Sequence, residues 1–173
     1  MAIAPTKDLL KHNMRTSILV CCLFALLLAC DSNRLFEENK DLPKNEWLQV
    51  EKVSFEFRIR DLGKQYNLLC NVRNTSDYPY ARLFIHYSLK DSTGTAVTKD
   101  LLPIFLFDAK TGKPLGNSGI GDVYDTQLPI LENHTFKFTG RYTIEFEQSM
   151  RLDTLAGISA IGFRLEEVSQ IQK

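Results

Sequence analysis

Between residues 53 and 59 every second position is apolar: Val53, Phe55, Phe57 and Ile59 alternate with Ser54, Glu56 and Arg58. Successive side chains of a strand point to opposite faces, so this spacing predicts a strand with one face in a core and one in water. Tyr66, Leu68, Cys70 and Val72 repeat the pattern, with Leu69 the apolar exception on the outer face. After the turn residues Asn74-Thr75-Ser76-Asp77, a third run sets Leu83, Ile85, Tyr87 and Leu89 inward and Phe84 and His86 on the other face. Asp91-Ser92-Thr93-Gly94 fits a type I turn, with Asp first and Gly fourth. Residues 101–107 (LLPIFLF) are nearly continuous in apolar character. That predicts a strand buried on both sides, with Pro103 near its start, where a missing donor does least harm. Residues 108–127 lose the pattern and contain Gly112, Gly116, Gly119 and Gly121. A loop of ~20 residues in a compact domain is unusual and often functional. Alternation returns at Phe136 and Phe138, at Tyr142, Ile144 and Phe146, and at Ile161, Phe163 and Leu165. Residues 148–158 (QSMRLDTLAGI), between the last two runs, read as one or two helical turns stopped by Gly157 in a left-handed cap. The expected fold is all-β: an antiparallel β-sandwich of about seven or eight strands with one short helical turn.

The amino-terminal part carries a different pattern. Residues 14–31 (MRTSILVCCLFALLLACD) place Arg15 before an apolar run of about a dozen residues, well short of the ~20 that a helix needs to cross the hydrocarbon core. A basic start, a short apolar run and a small residue at its end describe a secretory signal peptide. Leu27-Leu28-Ala29-Cys30 sharpens the reading, because it resembles a bacterial lipobox, in which the Cys30 thiol is acylated and the Ala29–Cys30 bond is cut. An ordinary signal with a chance cysteine, or a short anchor, is the alternative. Met14 is a plausible true start, since residues 1–13 add no apolar character. The expected organisation is a signal over residues 1–29, a lipidated polar tether over 30–45 and the β-sandwich over 46–173. The tether (CDSNRLFEENKDLPKN) has no sustained period, and Trp47 marks the start of the compact part.

Composition excludes more than it identifies. The chain balances 21 basic against 21 acidic residues, and no Lys/Arg block suggests nucleic acid or an anionic surface as partner. With Cys21 and Cys22 lost in the leader and Cys30 acylated, Cys70 remains without an intramolecular partner and is expected in the core. His86 and His134 stand in different contexts, and no cluster has the spacing of a zinc or calcium site. Gly116-x-x-Gly119-x-Gly121 lacks both dinucleotide spacing and a following Lys-Ser/Thr. Asp122 and Asp125 are the only loop carboxylates that tempt an acid–base reading, and solvated loop carboxylates are far commoner. No G-x-S-x-G nucleophile motif is present. The chain reads as a non-enzyme, with no catalytic residue, metal, cofactor or small-molecule substrate expected. Tyr78-Pro79-Tyr80 admits two readings: a Pro-fixed turn with both rings packed at the sandwich edge, or exposed aromatics that anchor a partner. Candidate partner-contact residues are Tyr78, Tyr80, Gly119, Gly121 and Asp122.

An ordered set of residues resembles the GldH family of gliding-motility lipoproteins from Bacteroidota. It comprises Cys30-Asp31, Trp47, Phe55-Glu56-Phe57, Tyr66-Asn67, Val72-Arg73-Asn74, Tyr78-Pro79-Tyr80 and Leu83-Phe84. It continues through the loop 116–122, Gly140-Arg141-Tyr142, Gln148-Ser149-Met150-Arg151, Leu155 and Gly157-Ile158. Arg82 departs from the small polar residue the resemblance leads one to expect, and Lys113-Pro114-Leu115 replaces an expected tryptophan. The resemblance implies a non-catalytic envelope lipoprotein, held by its Cys30 acyl chains in the outer membrane and facing the periplasm. It implies partners among the gliding and type IX secretion proteins. A glycan-binding surface lipoprotein is the alternative, although Trp47 is the one tryptophan available to a sugar platform.

Overall fold

The computed structural model describes residues 33–119 and 121–168. The signal segment, Ala29, Cys30 and the first residues of the expected tether lie outside them. Eleven strands occur among the described residues: β1 (Arg34–Asp41), β2 (Glu46–Leu48), β3 (Val53–Ile59), β4 (Tyr66–Thr75), β5 (Arg82–Lys90), β6 (Ala96–Phe105), β7 (Asn117–Ser118), β8 (Val123–His134), β9 (Gly140–Gln148), β10 (Thr154–Ala156) and β11 (Ile158–Glu167). They form a five-stranded sheet in the order β1-β11-β4-β8-β7, a four-stranded sheet in the order β3-β9-β5-β6, and a β10-β2 ribbon. Every pairing is antiparallel. The fold is therefore all-β and sandwich-like, as the alternation predicts.

The two sheets meet through aromatic rings. Phe163 of β11 lies 5.0 Å from Phe57 and 6.3 Å from Phe55, both on β3 of the other sheet, and 5.8 Å from Phe36 of β1. The inward positions read from the sequence are buried: the alternating sets of β3, β4 and β5, then Tyr142, Ile144 and Phe146 of β9. Cys70 is buried among them, and burial pushes its thiol pKa up, away from the reactive thiolate.

Four expectations are corrected. The first concerns the tether: residues 34–41 are the edge strand β1, paired with β11 from Arg34–Glu166 to Asp41–Ala160. A single side chain, Phe36, turns toward the core, and a period cannot be read from one residue. Ion pairs from Glu37 to Arg34 (2.9 Å) and Arg164 (3.1 Å) lie on its outer side. The domain thus begins near Arg34, not at residue 46.

The second concerns residues 101–107, which were expected to be buried on both sides. They lie mostly in β6, the edge of the four-stranded sheet, with Leu101 and Phe105 exposed and Ile104 buried. The Leu106 N–H donates to Ala81 O (3.0 Å), and alternation from there points Pro103's missing donor away from β5. That is where a sheet tolerates proline.

The third concerns the long loop. Residues 123–134 are β8, paired along β4, and Asn117–Ser118 pairs back on it as β7. The loop shrinks to a hairpin plus a segment pinned by the Phe107–Pro114 bridge. Thr126, between the inward-packed Tyr124 and Leu128, dilutes the apolar signal of that strand.

The fourth concerns the helical turn near Gly157. Residues 149–153 form an irregular corner leading into β10, and the helical segment among the described residues is the 3-10 turn Pro43–Asn45. The Gln148 amide donates to Leu152 O (2.6 Å) while its Oε1 accepts the Met150 N–H (2.8 Å). Those bonds take the backbone groups that a helical turn would use. Gly157 does adopt φ +84°, as a corner between strands and not as a helix cap. Opposite it, Trp47 of β2 is fully buried against Leu155 of β10, its Nε1 donating to Glu51 O (3.0 Å).

Candidate functional site

Strand register divides the sandwich into two ends. At one end lie the start of β1, the β3–β4 and β8–β9 connections and the finish of β11, since Ile59 pairs with Gly140 and Tyr66 with both His134 and Glu167. At the other lie the β4–β5 turn, the segment between β6 and β7, and the β7–β8 hairpin, since Thr75 pairs with Val123 and Arg82 with Phe105. The candidate contact residues all fall at this second end, far along the strands from where the chain enters β1.

The β4–β5 turn is held from three sides. The Tyr78 N–H bonds Thr75 O (3.2 Å), the Thr75 N–H bonds Gly157 O (2.9 Å), and the Ser76 N–H bonds Asp122 O (2.9 Å). The last bond ties the tyrosine turn to the glycine hairpin, so the two sequence features form one surface. Within the hairpin the Gly119 N–H donates to Val123 O (2.8 Å), and Gly121 takes φ +76° with open space where a side chain would stand. The segment 108–115 is equally built. The Asp108 carboxylate accepts the Thr111 hydroxyl (2.8 Å) and the N–H groups of Thr111 and Lys110, which hold its pKa below the usual carboxylate range. The Leu115 N–H then donates to Leu106 O (2.9 Å).

Tyr78 is not a contact residue, and this corrects the candidate set. It is 4% exposed, its hydroxyl donates to Arg82 O (2.8 Å), and its ring stacks on Phe107 at 6.5 Å. Burial raises its pKa further. Gly157 packs against its backbone so closely that no Cβ fits between them. Tyr80, by contrast, is 41% exposed and meets Tyr78 edge-on at 5.7 Å. Gly119, Gly121 and Asp122 are exposed beside it.

The sequence reading missed Phe105 and Leu115, both exposed at the same end. The Arg82 guanidinium lies over the Phe105 ring at 5.0 Å, a cation–π contact that holds an apolar face in water. Pro103 was the available signal, because a proline within an apolar strand marks an edge and an edge exposes half of its residues. Leu115 stands in the segment where the resemblance led one to expect a tryptophan.

The remaining chemistry is modest. Asp125 is engaged by Arg73 (Nε 2.8 Å, Nη2 3.4 Å), so it is not a free acid or base for Asp122. His86 is exposed on the outer face opposite Glu147. His134 sits edge-on to Phe136 at 4.7 Å with its Nε2 buried and without a hydrogen-bond partner, and burial lowers its pKa. No group of three or more His, Cys, Asp or Glu among the described residues could hold a metal ion. Tyr80, Leu115 and the Arg82–Phe105 pair, exposed at one end, give instead what protein contacts use, namely aromatic and aliphatic area and an arginine.

Comparison with known proteins gives a consistent result. A family profile described as GldH lipoprotein matches residues 34–165. The gliding motility lipoprotein GldH homolog of Christiangramia forsetii is 32% identical over 154 residues, covering 84% of this chain and 92% of that protein. The gliding motility lipoprotein GldH of Flavobacterium johnsoniae is 30% identical over 149 residues, covering 82% of this chain and 90% of that protein. Among solved structures, the VP2 subviral particle of infectious bursal disease virus matches with a TM-score of 0.38 at 17% identity, covering 80% of this chain and 34% of that chain. So loose a likeness carries no argument about function.

Proposed function

Because this chain belongs to the GldH lipoprotein family, we propose that it is a non-catalytic envelope lipoprotein that supports gliding motility and the linked type IX secretion apparatus as an assembly or stability factor. In this reading Cys30 is acylated after cleavage at Ala29–Cys30, and the acyl chains hold the protein in the outer membrane on its periplasmic side. The observation that carries the binding role is the exposure of Tyr80, Phe105 and Leu115 at one end of the sandwich, away from the start of β1. A built, hydrogen-bonded platform loses little entropy when it meets a partner. The glycan alternative loses its one tryptophan, because Trp47 is fully buried.

The test is export of type IX cargo and colony spreading in a strain lacking this gene, against the same strain complemented. Cargo retained in the cells and restored by complementation supports the reading. Normal export and normal spreading without the gene would remove it.

A further inference from the structure

The end where the chain enters combines exposed apolar side chains with three arginines, two of which have no acidic partner among the described residues. Phe138, on the β8–β9 connection, is 67% exposed, and Leu35 and Leu62 are exposed at the same end. Leu35 is the extra residue of a β-bulge in β1, which turns it outward while Phe36 enters the core. Arg58 of β3 stands directly opposite Arg141 of β9. Like charges directly opposite in a sheet are unfavourable unless an anion joins them. Arg141 reaches Glu56 at 3.5 Å, with both side chains largely exposed, whereas Arg58 and Arg60 pair with no carboxylate among the described residues. These arginines and Lys64 line an open cleft of about 750 Å³ together with Glu56, Asp61 and Glu167, so its cations outnumber its carboxylates by one, and Phe36, Phe57 and Leu165 supply apolar lining.

Covalent geometry says what faces this end. With β1 beginning at Arg34, only residues 31–33 separate it from Cys30, a reach of at most ~14 Å for four peptide steps. The unstructured 30–45 segment would have allowed roughly 50 Å. Acyl chains on Cys30 therefore hold this end near the bilayer and hardly constrain the far one.

We propose that this end docks on the phospholipid bilayer that holds the Cys30 acyl chains, with Leu35, Leu62 and Phe138 entering the interfacial layer and Arg58, Arg60 and Arg141 taking anionic headgroups. The proposal rests on acylation at Cys30. Docking can be weak in itself, because the anchor keeps the surface at high effective concentration. Its consequence is a fixed orientation: Tyr80, Phe105 and Leu115 point away from the membrane, toward soluble or membrane-spanning partners.

The test uses the mature acylated protein in vesicles of phosphatidylcholine with and without phosphatidylglycerol. An environment-sensitive fluorophore is attached through Phe138→Cys or, at the far end, Leu115→Cys; Cys70 is buried and does not compete. Lipids spin-labelled near the headgroup serve as quencher. Quenching and a blue shift at position 138, with position 115 unaffected, are expected on the anionic vesicles. Arg58→Glu with Arg60→Glu and Arg141→Glu should cut that quenching by at least about fivefold. Flotation with vesicles reads the anchor separately. A protein that fails to float and lacks the acyl mass overturns the Cys30 assignment and this proposal with it. A protein that floats with position 138 fully in water, or with quenching indifferent to the charge reversals, overturns the docking alone.

Discussion

Gly157→Ala tests how the β10–β11 corner sets the far end. The residue has φ +84°, and a Cβ there would lie 2.5 Å from Tyr78 Cα and 2.6 Å from Tyr78 N. The left-handed backbone costs an alanine about 1–2 kcal/mol. The clash is with main chain and has no rotamer escape, so the Tyr78 turn must move by ~1 Å to reach ordinary contact distance. That movement strains the Thr75 N–H bond to Gly157 O and the Gly157 N–H bond to Asn45 O, each worth ~0.5–1.5 kcal/mol. The total is roughly 2–5 kcal/mol, which lowers the melting temperature of a domain this size by roughly 7–20 °C. Gly112→Ala is the control: φ is +68° and the Cβ meets nothing within 4 Å, so only the backbone cost of ~1–2 kcal/mol applies. Thermal unfolding followed by circular dichroism measures both. Equal drops in the two variants would refute the argument that Gly157 is required by the approach of Tyr78.

Phe163→Ala removes the ring that joins β11 to Phe36, Phe55 and Phe57, and should cost about 3–5 kcal/mol in a denaturant titration with an unchanged slope. His134 is held below its ordinary 6.5 by burial, so the folded state favours the neutral ring. Its contribution is intact above pH 6.5 and is lost as pH falls from there toward the lowered folded value. Melting temperatures at pH 7.5 and 5.5 should differ less in His134→Leu than in the wild type. Cys30→Ser should move the protein from the membrane to the soluble fraction of lysed cells with its fold unchanged, checked by fractionation and circular dichroism.

What was legible follows from how many residues of each element face the core. β3, β4, β5 and β9 turn three or more apolar side chains inward in strict alternation, and the sequence places their faces correctly. β1 turns in only Phe36, so no local pattern distinguishes it from a linker; its strand is dictated by the β11 edge it covers. β8 hides because Asp125 and Gln127 answer Arg73 and Asn71 on the neighbouring strand, a requirement visible only after pairing. The apolar run 101–107 misleads in the opposite direction, since Leu101 and Phe105 face outward and serve the surface. Of the candidate contact residues, the structure leaves Tyr80, Gly119, Gly121 and Asp122 exposed and adds the Ser76–Asp122 bond that joins the two segments, which the sequence, read as one long loop, does not show. The sequence leaves both orientations of Tyr78 open, because its hydroxyl's partner, Arg82 O, lies across a turn whose geometry the sequence does not show. Several residues that carry the family resemblance, such as Trp47, Asn74, Gln148 and Leu155, are fully or almost fully buried. They report shared architecture more than shared contacts.

In the proposed function, the end of the sandwich away from the start of β1 engages the motility and secretion apparatus. The direct measurement is colony spreading and type IX cargo export in cells whose only copy carries Tyr80→Ser, Phe105→Ser and Leu115→Ser. The substitutions lie on exposed positions, and membrane-bound abundance is measured in parallel by immunoblot. The expected result is a protein present at normal level in the membrane with spreading and export both lost. Wild-type spreading and export from that strain would contradict it.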